Sequence, residues 1–259
     1  MLTVSIITAS FRSESTIVDT LKSLNEQTYP AIEHLVVDGA STDRTLELVR
    51  EHGKRVARLV SEPDKGIYDA FNKGLAMATG DVIGFLNSDD FYAAPDVISA
   101  IMEVFNREQD VDAVYADLVY VEKTDKSTIT RYWKSRPYRR GDFTRAFCPP
   151  HPTLFLRRSV YDRTGGFDAG FRYAGDYEYM LRAFHTHEVK SRYLPKIAVM
   201  MRNGGTTGGS WVHIKNQNVE IFRALEHARV PISRAGFMAR KIVDRVLQRV
   251  RARFVRLPG

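Results

Sequence analysis

Apolar and polar positions follow two rhythms through the first half of the chain. Residues 4–8 form a short apolar run of the kind that becomes a buried strand. Residues 35–37, 56–60, 82–86 and 113–115 repeat it. Between these runs the spacing lengthens to that of a helix. Ile17, Val18, Leu21 and Leu24 recur within 15–25, and Leu46 and Val49 follow the N-terminal signal Ser41-Thr42-Asp43. Ile67, Ala70, Phe71 and Leu75 mark an inward face over 66–78, and 95–106 reads as a further helix. The alternation predicts an α/β fold: a mostly parallel central sheet covered by helices.

The second half is less regular. Residues 119–133 predict two strands around Thr124-Asp125-Lys126, and Cys148-Pro149-Pro150-His151-Pro152 predicts a rigid loop before a strand at 153–156. Residues 175–187 read as a helix, and the glycine-rich stretch 203–210 as a loop long enough to act as a lid. Two helical segments close the chain, giving a main domain over 1–230, in halves 1–116 and 117–230, and a terminal helix over 231–259.

Composition narrows the class. The 259 residues are 44% hydrophobic, which excludes wholesale disorder. Cys148 is the single cysteine, so an internal disulfide framework and a multi-thiolate metal site are both excluded. No apolar run approaches the ~20 residues of a spanning helix, and the first residues lack a basic secretory n-region. The expected location is therefore cytoplasmic. The net charge of +7 is uneven: Arg234 to Gly259 holds eight of the 38 basic residues and one of the 31 acids, leaving 30 of each before it. The main domain is formally neutral and the tail carries the excess.

Chemistry-bearing residues gather where the predicted strands end. Thr8, Asp38, Glu62-Pro63-Asp64-Lys65-Gly66 and Asn87-Ser88-Asp89-Asp90 each follow a strand, and in an open parallel sheet such ends form the ligand crevice. Adjacent carboxylates such as Asp89 and Asp90 repel unless a cation joins them. Mg²⁺ or Mn²⁺ bridging to a diphosphate would do so, and a helix cap before Pro95 is the plainer use. Asp38-Gly39 suits either a turn or a hydrogen bond to a base or ribose. Lys65-Gly66 suits a solvated turn or a cation and helix N-terminus set against phosphate. There is no Walker A motif and no GxGxxG, so kinase-type and dinucleotide-binding chemistry lose support.

The order of motifs resembles a known family. Residues 4–8, Val36-Val37-Asp38-Gly39-Ala40-Ser41-Thr42-Asp43, the stretch SEPDKGIYDAFNKG over 61–74, Ala78-Thr79-Gly80-Asp81 and Asn87-Ser88-Asp89-Asp90 together resemble family 2 glycosyltransferases of GT-A fold, a Rossmann-like nucleotide-diphospho-sugar transferase. The resemblance spans residues 3 to about 200. It lies closest to bacterial surface-polysaccharide transferases of the colanic-acid and mycobacterial phenolic-glycolipid type. It implies a nucleotide-binding half over 1–116 and an acceptor-binding half over 117–230. Thr8 and Ala9 would touch the nucleoside of the donor, Asp38 would read the base, typically uracil, and Lys65-Gly66 would lie beside the nucleotide. Asp89 would approach the ribose or metal, and Asp90 would ligate the metal. Asp176, in Ala174-Gly175-Asp176-Tyr177-Glu178, matches the catalytic base. Two departures stand out: Gly175 replaces the Glu that often precedes the base, and Ala70-Phe71-Asn72 stands where many members have Ala-Arg-Asn. The resemblance also implies inversion at the sugar and an acceptor carried on a lipid or glycolipid.

Weaker candidates remain. His151 between two prolines suits a structural histidine as well as a contact to diphosphate or acceptor. Trp211 suits an acceptor contact or a helix anchor, and His213 a distant metal ligand as in some GT-A enzymes. A sugar-1-phosphate nucleotidyltransferase would need a Gly-rich basic loop where the chain has Ala9-Ser10-Phe11-Arg12-Ser13, and is rejected. A non-catalytic nucleotide-sugar binder or membrane scaffold is the remaining alternative. Nucleic-acid binding is not expected, since no zinc motif or stacking set accompanies the basic tail. On a helical wheel Ile242, Val243, Val246, Leu247, Val250, Phe254 and Leu257 share one sector, with Arg240, Lys241, Arg245, Arg251 and Arg256 outside it. That pattern predicts a helix lying on the anionic inner face of the membrane, basic side to the headgroups. A helix docked on the body is its rival.

Overall fold

The computed structural model describes residues 1–204 and 211–255. The central sheet has nine strands: β1 (Val4–Ser10), β2 (Ile32–Asp38), β3 (Val56–Ser61), β4 (Val82–Phe85), β5 (Phe91–Tyr92), β6 (Ala113–Val121), β7 (Ile129–Trp133), β8 (Phe155–Arg157) and β9 (Ser191–Arg202). The helices are α1 (Ile17–Asn25), α2 (Thr45–His52), α3 (Ile67–Met77), α4 (Val97–Arg107), α5 (Arg158–Thr164), α6 (Gly175–Leu181), α7 (Trp211–His227) and α8 (Arg234–Ala252). The strand order is β3-β2-β1-β4-β8-β6-β9-β5, with β7 hairpinned onto β6. Pairings β1–β2, β2–β3, β1–β4 and β6–β9 are parallel and make up most of the paired length. The short β8 joins the two halves with antiparallel pairs to β4 and β6.

Period-two alternation puts helices on both faces. Ile7, Leu35, Val37, Phe85 and Tyr115 pack with α3 and α6 in one cluster, while Val4, Ile6 and Val114 pack with α4 in another. Chain order runs from β1 outward through β2 to β3, then returns to β4 on the other side of β1. Strand direction around β1 therefore opens a crevice at the carboxyl ends of β1 and β4.

Several expectations need correction. Ile67 was expected inward but is exposed, because the first turn of α3 stands at the mouth of the crevice. Tyr68, Ala70 and Phe71 are the buried positions. β6 is one continuous strand across 113–121, where separate strands were expected at 113–115 and from 119. β1 runs on to Ser10, two residues past Thr8. The helix expected over 175–187 is α helical only to Leu181 and continues as a π-type turn over 182–186. β9 was not anticipated. Its pairing with β6 slips between Tyr115 and Leu118, where Pro195 and Lys196 interrupt the apolar pattern; a bulge tolerates proline. Asp117, buried at that slip, accepts from Ser135 N at 2.7 Å, Tyr132 Oη at 2.5 Å and Tyr193 Oη at 2.8 Å, and so fixes β7. Residues 205–210 of the expected lid lie outside the described residues.

The terminal helix docks on the body by its polar side, whereas the docked alternative would have buried its apolar sector. α8 begins at Ser233, whose Oγ accepts from Gly236 N at 3.3 Å, and it lies along β7. Its docked stripe is Phe237, Lys241, Asp244, Arg245, Gln248 and Ala252, each buried or half-buried. The apolar sector Ile242, Val243, Val246, Leu247, Val250 and Phe254 faces solvent. Lys241 and Arg245 therefore face the body, not lipid headgroups; β7 offers polar and aromatic groups, which a polar helix face can match.

Candidate active site

Two buried acids end adjacent regions of the sheet. Asp38, the last residue of β2, has no exposed surface. Its Oδ1 accepts from Ser10 Oγ at 3.0 Å and Ser41 Oγ at 2.6 Å, and its Oδ2 from Ser41 N at 2.8 Å and Ser61 Oγ at 2.8 Å. A carboxylate offers about four acceptor positions, and four donors hold this one. Asp38 thus ties the ends of β1, β2 and β3 together.

Asp90 is equally buried but differently served. Its Oδ2 accepts from Asn87 Nδ2 at 3.1 Å, and its Oδ1 has no partner among the described residues. Burial, then the adjacent Asp89 carboxylate, push its carboxyl far above the usual carboxylate range. Burial also raises Asp89, against the pull of Arg202. Arg202, at the end of β9, donates to Asp89 O at 2.8 Å and pairs with Asp19. It anchors the loop and draws the Asp90 carboxyl down, but burial and Asp89 outweigh it. An orphaned oxygen on a buried carboxylate, paired with a second acid, fits a divalent cation. Among the described residues no three His, Cys, Asp or Glu side chains converge, so such an ion would draw its other ligands from a substrate or water.

Thr8 and Ala9 sit inside β1. Thr8 Oγ1 lies 3.0 Å from His34 Nε2, whose ring burial pushes it down to about 3, and Ala9 packs into the core. The strand's exposed continuation is Phe11, whose ring is 58% exposed beside Gly39 and Asp64. Gly66, at φ +122, caps α3 in a conformation suited to glycine. The N–H groups there are already used: Gly66 N donates to Asp64 Oδ1 at 2.8 Å and Lys65 N to Asp69 Oδ2 at 3.1 Å. The Lys65 side chain is exposed.

Asp176 stands on the first turn of α6, half-buried. Its Oδ1 accepts from Tyr68 Oη at 3.1 Å and from Tyr177 N at 2.8 Å. The glycine before it has a steric cause. A Cβ at Gly175 would come within 2.8 Å of the Tyr68 ring, so Tyr68 occupies the space a glutamate would need. Phe71 has a similar account. It is buried against Tyr68, Phe85, His151 and Phe167, where an arginine would have no partner. His151 belongs to that aromatic cluster, buried with its imidazole pushed down by burial. It is placed as a packing group under the site. His213 packs its ring at 5.4 Å from Tyr173; the Trp211 side chain lies outside the described residues.

The model of "Glycosyl transferase family 2" matches residues 5–164, which carry both acids and the loop between them. The chain belongs to glycosyl transferase family 2. An uncharacterised glycosyltransferase of Mycobacterium tuberculosis is 33% identical over 183 residues, 70% of this chain and 68% of that protein. A PGL/p-HBAD biosynthesis glycosyltransferase of the same species is 29% identical over 177 residues, 67% of this chain and 66% of that one. Among solved structures, S. aureus TarS 1-349 in complex with UDP-GlcNAc superposes with TM-score 0.70 at 18% identity, covering 93% of this chain and 73% of that one. The mannosyltransferase PcManGT from Pyrobaculum calidifontis, in complex with GDP-Man and Mn²⁺, gives 0.65 at 19% identity, with 93% and 73% covered. This family 2 chain thus has the GT-A fold of nucleotide-sugar-dependent transferases.

Proposed function

We propose that this chain is an inverting hexosyltransferase. It moves a sugar from a nucleotide-diphospho-sugar, a UDP-sugar by resemblance, to a hydroxyl of a lipid-linked or glycolipid acceptor in bacterial surface polysaccharide biosynthesis. The observation that carries the reading is the buried Asp90 carboxylate, one oxygen orphaned, in a family 2 fold that also holds Asp176 on the first turn of α6. Asp90, with Asp89, would hold Mg²⁺ or Mn²⁺, which neutralises the departing diphosphate when bound. Asp38 holds the nucleoside end of the crevice in shape. Asp176 takes the acceptor proton as the new bond forms. Tyr68 donates to one Asp176 oxygen and leaves the other to accept that proton. A single base opposite the leaving group makes the reaction a direct displacement, with inversion.

The outward apolar face of α8 supports work at a membrane. Ile242, Val243, Val246, Leu247 and Val250 form an exposed strip flanked by Arg240, Arg249, Arg251 and Arg253. Among the described residues no helix is long and apolar enough to cross a membrane, so the proposed association is peripheral. The test of the reading is a panel of nucleotide sugars with Mn²⁺ or Mg²⁺, scored for donor hydrolysis and transfer. Metal-dependent turnover of one donor, with inverted product, supports it. Nucleotide-sugar binding with no turnover of any donor on any acceptor would favour the scaffold alternative.

A further inference from the structure

Lys65 is exposed before α3, and the other cations near the crevice are engaged or replaced. Phe71 occupies the place of the α3 arginine, and Arg202 is held by Asp19 and Asp89 O. Lys73 is tied to Glu62 at 2.9 Å and to Pro63 O at 2.8 Å. A different group of cations meets where α8 lies on β7. Arg131 of β7 has its guanidinium carbon 3.9 Å from the Tyr120 ring centroid and 5.5 Å from that of Trp133. Its Nη2 donates to Tyr120 Oη at 3.0 Å, while its Nε is buried without a partner. Lys241 and Arg245 reach the same place from the docked face of α8, Lys241 donating to Asn218 Oδ1 at 2.6 Å. Among the described residues no carboxylate forms an ion pair with any of the three.

Their mutual repulsion is visible in Lys241, whose ammonium is pushed down to about 8, first by burial and then by Arg245, with Arg131 adding to it. Cys148 and Asp176 act in the opposite sense. Burial lowers Arg131 too, and Arg245 and Arg249 lower it further. Like charges gathered in a partly dry place are unfavourable unless an anion joins them. The position is equally informative. Tyr120 pairs with Arg131 on one side and with Met201 on the other, one residue from Arg202, which donates to Asp89 O. Arg131 therefore lies one strand away from the Asp89-Asp90 corner.

We propose that Arg131, Lys241 and Arg245 form a phosphoanion subsite, assembled when α8 docks on β7, that takes a phosphate or diphosphate ester. Guanidinium forks suit phosphate oxygens, and Arg131 keeps an unused donor for them. The subsite deepens the glycosyltransferase reading and rests on it for its place in the reaction. Its phosphate belongs either to the donor diphosphate or to a phosphate-bearing acceptor. In both cases α8 is part of the active site.

The test is calorimetric titration of the full-length protein and its Arg131→Gln and Arg245→Gln variants with three probes: inorganic pyrophosphate, UDP with Mn²⁺, and farnesyl phosphate against farnesol. Circular dichroism establishes that each variant folds, and Arg245→Lys, which keeps the charge, provides a second check. The subsite predicts a loss of about tenfold or more in affinity for a phosphate probe in each Gln variant, partly restored by Arg245→Lys. Losses toward pyrophosphate and UDP assign the donor diphosphate, and a loss confined to farnesyl phosphate assigns the acceptor. Unchanged affinity for all three probes in folded Gln variants overturns the subsite, while metal-dependent transfer by the wild type would leave the enzyme reading intact. If the wild type binds pyrophosphate through these residues yet transfers no sugar, the subsite stands and the enzyme reading falls.

Discussion

Asp38 and Asp90 look alike in the sequence and differ sharply in the fold. Each follows an apolar strand, and neither has exposed surface. Asp38 accepts four hydrogen bonds from three serines, while Asp90 accepts one on a single oxygen. A carboxylate whose lone pairs are filled by the protein builds the wall of a site. One buried with an oxygen left over is, in the function proposed above, the group that would meet a cation. The pair separates structure from chemistry at two strand ends of one sheet.

The comparison can be broken by substitution. Asp90→Ala should lower transfer by at least ~10³-fold, since metal stabilisation of a leaving diphosphate contributes several kcal/mol. Steady-state kinetics with and without EDTA checks it; near-normal turnover would remove Asp90 from the chemistry. Asp176→Asn should lower kcat by at least ~10²-fold with donor affinity kept, the signature of a proton acceptor. Equal losses in donor binding and turnover would make Asp176 a binding residue instead.

Stability should move the other way round. Asp38→Ala leaves Ser10, Ser41 and Ser61 without their shared acceptor and should cost about 1–3 kcal/mol, read as a lower urea midpoint. Asp90→Asn should leave the metal-free protein as stable or more stable, because it removes a buried charge. The pH sign follows. The folded carboxyl of Asp90 is raised above its unfolded value of about 3.9, so its contribution is fully present below that pH and is lost as pH rises through the raised value. In the metal-free protein, urea midpoints for wild type and Asp90→Asn should therefore diverge in favour of the variant as pH rises from 4 toward neutrality. Parallel curves would contradict the burial account.

The smallest effect expected is at the surface. Val243→Ser with Val246→Ser should weaken binding to phosphatidylglycerol vesicles by about 1 kcal/mol or more while leaving donor hydrolysis unchanged. High salt should weaken the wild-type interaction, because basic residues near an anionic leaflet contribute roughly 1 kcal/mol each. Wild-type indifference to such vesicles at low salt would leave the α8 face without a membrane role.

The first half was legible because its strands are apolar runs that stop at Asp, Asn and Gly, and those stops make up the candidate site. Asp38, Asp89 and Asp90 stand at the strand ends where the pattern placed them, though the sequence could not say that three serines would fill Asp38. Ile67 misled because periodicity marks the apolar side of a helix without marking a turn that stands free of the core. β9 was hidden by the bulge around Pro195 that Asp117 stabilises across the sheet. α8 was harder still. Its wheel divides apolar from basic, and hydrophobicity alone chooses the apolar side for docking. The hairpin surface of Arg131, Tyr132 and Trp133, which takes the polar side, belongs to another part of the chain.

Isothermal titration of UDP into wild type and Asp90→Asn, each with and without Mn²⁺, tests the central claim most directly. The orphaned Asp90 oxygen predicts that Mn²⁺ tightens UDP binding to the wild type by at least ~10-fold and has no effect on Asp90→Asn. Equal tightening in both proteins would contradict the assignment of this corner to the cation.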